Sequence, residues 1–296
     1  MKMMKKAVAT TMRLFPNKER KQTMVPSEEV GDRKDFLIDT EITASEISIY
    51  YPAIHEYDPL PVYINLHGGA FIMSDKDMDD AYCRHIANHS HCAVVNINYP
   101  KAPEYPFPLP LEQIYEIWHW LKRYAPSLFL DADRFAVGGQ SSGGNLAAAL
   151  CLYLKEKEEE QPVLQMLAYP MLDFVTSHAD KPEPDKNRAK FPQAAHFLNE
   201  SYIPDPGEMG NPLASPVYAR DLEGLPPALI LIPEYDAFNP EGKRYAANLS
   251  QAGVMVNLHE FEDCYHAFTH LGPEQKAEEA WSLIENRLAL AFYGTR

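Results

Sequence analysis

An α/β protein is predicted, with a mostly parallel central sheet covered by helices on both faces, and three observations predict it. Apolar strand-like runs alternate with helix-period segments between residues 61 and 168, the pattern of successive βαβ units. Gly139-Gln140-Ser141-Ser142-Gly143 stands between a short buried strand and a helix, where small residues permit a tight turn. Two later apolar runs, 228–233 and 254–261, each break off into polar residues, as strands do where they leave a sheet. At 296 residues the chain fits one core with insertions, and 46% hydrophobic content is ordinary for a globular protein.

In chain order, residues 1–34 are rich in Lys, Arg and Met with little strand character. A short basic amphipathic helix is expected there, within a cap segment spanning 1–45; membrane or partner binding is the alternative. Residues 36–39 and 47–51 read as a strand pair leading into the core, 46–296. Residues 61–66, 93–98, 134–139 and 163–168 are apolar enough to be buried strands. Residues 78–89, 111–124 and 142–155 are the helices between them, the last with Leu146, Ala149, Leu150 and Leu154 on one face. The Lys/Glu run 155–160 is its solvated end. From 173 to 216 the pattern breaks into Pro, charge and aromatics, including Phe191, Phe197 and Tyr202, and this insertion is expected to fold over the sheet edge as further cap. There is no internal repeat.

The chemistry gathers at strand ends. On a strand–turn–helix the serine of Gly-x-Ser-x-Gly projects alone, so Ser141 is the candidate nucleophile. The strand 61–66 runs directly into His67-Gly68-Gly69-Ala70-Phe71, whose backbone N–H groups can stabilise the negative charge of a tetrahedral intermediate. Gly69, Ala70 and Ser142 are the preferred donors, with Gly68 in reserve. A serine also needs a base and an orienting carboxylate. Asp236 and His266 fall just past strand ends on the edge that carries Ser141, where chemistry in parallel α/β sheets collects. Glu234, Glu241 and Asp263 are rival carboxylates; His259 and His270 are rival bases.

Five ordered motifs resemble those of the hormone-sensitive lipase family of α/β-hydrolase carboxylesterases. They are the 67–71 loop, the loop from Tyr99 to Pro108, the elbow through Gly144, Leu213-Ala214-Ser215-Pro216, and Tyr235-Asp236-Ala237-Phe238; Tyr265-His266-Ala267-Phe268 stands where the family usually has His-Gly-Phe. The resemblance runs from about residue 47 to the C-terminal helix. It implies the α/β-hydrolase fold and ester hydrolysis through Ser141, His266 and Asp236, and it prefers these over their rivals. Gln140 replaces the usual Asp, Ser142 the usual Ala, Ala70 a Gly, Ala267 a Gly, and Asn239-Pro240 a charged pair. None removes a triad side chain or a needed N–H, but the Cβ of Ala70 is expected to narrow the acyl pocket.

A formal net charge of −15 disfavours nucleic acid and anionic membranes as partners and makes a small neutral ester the easier substrate. No apolar run approaches the ~20 residues of a membrane span, and the N-terminus lacks a signal-peptide core, so a cytoplasmic protein is expected. Cys83, Cys92, Cys151 and Cys264 show no zinc-type pairing or disulfide density. His85 and His89 have metal-sharing i, i+4 spacing, but a third ligand on another element is not evident, so no metal and no cofactor are expected. The resemblance implies that the Pro-x-x-Pro spacings in 100–110 belong to an ordered loop near the oxyanion strand rather than to a polyproline ligand. A homo-oligomer is left open. Two other functions compete with esterase: an amidase or small-peptide hydrolase using the same triad, and a non-catalytic binding member, which the presence of His266 opposes.

Overall fold

The computed structural model describes residues 2–14, 24–54, 59–186, 188–190 and 192–294. Residues 1 and 15–23 of the expected cap segment, and Phe191 of the insertion, lie outside the described residues.

Eight strands form one sheet: β1 (Asp32–Ile38), β2 (Ser45–Tyr51), β3 (Leu60–Leu66), β4 (Ala93–Ile97), β5 (Leu130–Gln140), β6 (Leu164–Ala168), β7 (Ala228–Tyr235) and β8 (Val256–Tyr265), in the order β1-β2-β4-β3-β5-β6-β7-β8. β1 and β2 pair antiparallel, as does β2 with β4; every other pairing is parallel. β1 lies within the segment 1–45, so the sheet takes in part of it. β3, β4 and β6 are buried at every position, which is why they read as apolar runs rather than as alternations.

The helices are α1 (Lys2–Leu14), α2 (Asp80–Ser90), α3 (Leu109–Tyr124), α4 (Ser142–Glu156), α5 (Pro192–Tyr202), α6 (Asn239–Gln251), α7 (Phe268–Leu271) and α8 (Glu274–Tyr293). Because strand side chains alternate, the sheet feeds two cores. Val62, Ile64 and Leu66 pack with α3, α4 and α6 on one face, while Tyr63, Val94 and Met166 pack with α2 and α8 on the other. The fold is that of the α/β class expected, with helices on both faces.

Two boundaries differ from the sequence reading for identifiable reasons. β8 continues past 261 to Tyr265 because a register shift between Pro233 and Tyr235 lets Tyr235 pair with Tyr265; Asp263 sits there at φ 59° with its N–H on Glu234 Oε2. The helix expected at 78–89 starts at Asp80, since residues 76–79 form a separate turn that buries Asp79.

Candidate active site

β5 delivers Ser141 and α4 leaves from it. Ser141 has φ 55°, a left-handed conformation that a side chain resists, and its neighbours hold it there. Its N–H donates to Ala168 O (2.9 Å), and its carbonyl accepts from Asn145 N (3.1 Å) and Met171 N (3.3 Å). The Asn145 amide fixes the next layer by donating to Met171 O and Ala214 O. A Cβ at Gly143 would lie 1.8 Å from Leu66 O, so only glycine lets α4 approach the end of β3.

β7 and β8 deliver the partners. His266 Nδ1 lies 2.7 Å from Asp236 Oδ2, and His266 Nε2 lies 3.0 Å from Ser141 Oγ. The Asp236 side chain is fully buried, and its other oxygen accepts from Phe238 N at 3.1 Å. With a proton held on Nδ1 by that carboxylate, the lone pair on Nε2 faces the serine hydroxyl. Tyr169 and Phe238 set their rings edge-on to the imidazole at 5.0 and 5.1 Å, fixing its plane.

The rival residues go elsewhere. Glu234 accepts from the backbone N–H of Asp263 at the β8 irregularity, Glu241 meets Lys181, and His259 lies along β8 opposite Leu231. His270 Nε2 lies 3.0 Å from Asp79 Oδ1, and Asn65 donates to the other oxygen of Asp79 at 2.8 Å. Burial alone would raise the Asp79 pKa; hydrogen bonding and charge from His270, with the Asn65 amide, reverse this and hold it below the ordinary carboxylate value.

The loop after β3 abuts the elbow: a Cβ on Gly68 would come 3.1 Å from Gln140 O and 3.8 Å from Ser141 Cβ. Gly69 has φ 130°, and a Cβ there would lie 2.2 Å from Met73 O, so this position requires glycine. Ala70 adopts φ 51° in spite of its Cβ. Among the described residues, no backbone carbonyl takes the N–H groups of Gly68, Gly69, Ala70 or Ser142.

Several supports escape the sequence reading. Tyr99 stacks on His67 at 4.4 Å, donates to His67 O at 2.7 Å and reaches Ser142 Oγ at 3.4 Å, so one side chain braces both the loop and the elbow. Its place at the head of the motif 99–108 is the only signal the sequence offers. Arg13 of α1 donates to Ile72 O (2.8 Å) and Ala102 O (2.7 Å) and pairs with Glu104. Tyr202 of α5 stacks on Phe71 with centroids 3.6 Å apart, and Lys5 meets Glu200. Helices α1 and α5 thus contact each other and the loop that follows β3. The 99–108 loop is ordered against the same elements, through Ala102 N to Phe71 O and Phe107 N to Tyr202 O.

A concavity lined by Phe107, Leu111, Tyr153 and Leu213, among others, includes none of Ser141, Asp236 and His266. All four cysteines are buried and free. The reason for discounting His85 and His89 is overturned: Glu28, ahead of β1, brings a carboxylate oxygen to both, because the segment before the first strand folds back along α2. Among the described residues no helix is long and apolar enough to cross a membrane.

A family model for the α/β-hydrolase fold matches residues 63–270. The chain is 32% identical to an arylesterase of Saccharolobus solfataricus over 88% of this chain and 84% of that protein. It is 29% identical to an ethyl acetate hydrolase of Pseudomonas putida over 87% of this chain and 84% of that one. A solved hyperthermophilic esterase from Pyrobaculum calidifontis superposes with a TM-score of 0.81 at 27% identity, covering 97% of this chain and 92% of its own.

Proposed function

We propose, for a chain that belongs to the α/β-hydrolase family among its hormone-sensitive-lipase-like carboxylesterases, the hydrolysis of small neutral short-chain acyl esters through an acyl-enzyme. One observation carries the reading: His266 bridges Ser141 Oγ at 3.0 Å and Asp236 Oδ2 at 2.7 Å. Ser141 Oγ attacks the ester carbonyl carbon while its proton passes to His266 Nε2. Asp236 keeps the imidazole in the required tautomer and stabilises the imidazolium without taking the proton. The carbonyl oxygen becomes an oxyanion facing the N–H groups of Gly69, Ala70 and Ser142, with Gly68 adjoining. Collapse breaks the bond to the alcohol oxygen, which leaves with the His266 proton. Water then attacks the acyl-serine by the same route, giving the carboxylic acid and restoring Ser141.

The contacts of α1 and α5 support a cap made from the N-terminal segment and the 173–216 insertion. The −15 net charge favours an uncharged guest and disfavours nucleic-acid and anionic membrane partners, consistent with a cytoplasmic enzyme. Labelling by a fluorophosphonate tests the reading directly: the wild type reacts at Ser141, and Ser141→Ala loses both label and ester turnover. Label persisting on Ser142 would sink the assignment. Faster turnover of matched amides than of esters would move the natural bond from ester to amide.

A further inference from the structure

Away from the triad, one cluster gathers metal-ligating atoms from separate parts of the chain. We propose that Glu28, His85 and His89 form a binding site for a divalent cation of the zinc class. Glu28 Oε1 lies 2.7 Å from His85 Nδ1 and 3.1 Å from His89 Nε2, and the three atoms all lie within 4.8 Å of one another. A zinc ion with bonds of about 2.0–2.1 Å holds tetrahedral ligand atoms roughly 3.3 Å apart, so small side-chain rotations bring the trio to bonding geometry. The i, i+4 spacing on α2 sets both imidazoles on one face, their centroids 4.2 Å apart.

The groups around the trio match what ligating side chains keep behind them. Asn88 Nδ2 donates to the second oxygen of Glu28 at 2.8 Å. Glu285 Oε1, from α8, is buried 2.5 Å from His85 Nε2, and no hydrogen bond among the described residues satisfies that oxygen. A carboxylate at the far nitrogen is the usual partner of a metal-bound imidazole; it fixes Nε2–H and leaves the Nδ1 lone pair for the cation. Two nitrogens and one carboxylate oxygen suit zinc better than calcium or magnesium, which prefer all-oxygen sites. The side chain of His89 is 46% exposed, so a fourth position opens to water. A bound cation would join the segment before β1 to α2, with α8 supplying the outer carboxylate, and would act as a structural fastening rather than as part of ester hydrolysis.

Equilibrium dialysis of the full chain against zinc chloride after chelator treatment tests the site. The expected result is about one tightly bound zinc per chain, with calcium failing to compete. Both His89→Gln and Glu28→Gln should weaken zinc binding by at least the roughly 10–100-fold that loss of an outer partner costs. No zinc bound below millimolar concentration, or wild-type affinity in either variant, overturns the proposal.

Discussion

In the proposed mechanism Ser141, His266 and Asp236 make unequal contributions, and their replacements should differ in size. Ser141→Ala removes the attacking atom and should lower ester kcat by ~10⁴ or more. Asp236→Asn leaves a base, wrongly oriented, and should cost less; near-full activity in Asp236→Asn, with a large loss in Asp263→Asn instead, would reassign the carboxylate. His266→Ala should be inactive in ester turnover. For His270→Ala the expectation is a loss of stability by denaturant unfolding, because buried Asp79 is left without the partner that holds its Oδ1. The meeting of Ser141, His266 and Asp236 was legible because each stands just past a strand end within a short motif. Asp79 and His270 were not: they meet from segments 191 residues apart, and neither local pattern names the other. The hydroxyl of Tyr99 was hidden for the same reason, since its acceptor is a backbone carbonyl that looks alike in every sequence.

The insertion is held to α6 by a buried contact whose charge state decides its behaviour. Lys181 Nζ lies 3.2 Å from Glu241 Oε2, and both side chains are only 6% exposed. Burial pushes the Glu241 pKa up to about 8; Lys181 opposes this and the charge of Asp173 adds to it. Near neutrality Glu241 is therefore chiefly the neutral acid, although the distance alone would suggest an ion pair. A folded pKa above the unfolded value of 4.5 gives stability that is complete below 4.5 and lost as pH rises through about 8. Wild-type Tm should accordingly fall relative to Glu241→Gln between those limits, and parallel Tm profiles for the two proteins would refute the clamp's titration. The elements around it show where sequence pattern stops. Strands and the helices that pack on them announce themselves by period, whereas the 173–216 insertion takes its shape from Lys181, Tyr202 and Asn145, each bonded or stacked to something far away.

At the scale of the whole molecule, surface charge and the proposed cap together predict the substrate range. Each buried CH₂ of an acyl chain gains about 0.8 kcal/mol, but only as far as the pocket extends. Across aryl esters from acetate to palmitate, kcat/KM should peak between acetyl and roughly hexanoyl, and Ala70→Gly should move the optimum toward longer chains if it moves at all. A steady rise to palmitoyl, with a jump above the substrate's solubility limit, would mark an interfacial lipase. The sheet edge that carries Ser141 also has a mechanical side. Asp79 follows the loop after β3 and His270 follows β8, and in the sheet these strands stand at either side of β5, β6 and β7. Their pair works like a buckle across that edge, drawing together the segment after the 67–71 loop and the segment that carries His266. In the wild type, heat inactivation and loss of the fold should therefore coincide. Once the buckle is undone, activity should fail at a lower temperature than the sheet itself, as two separate events.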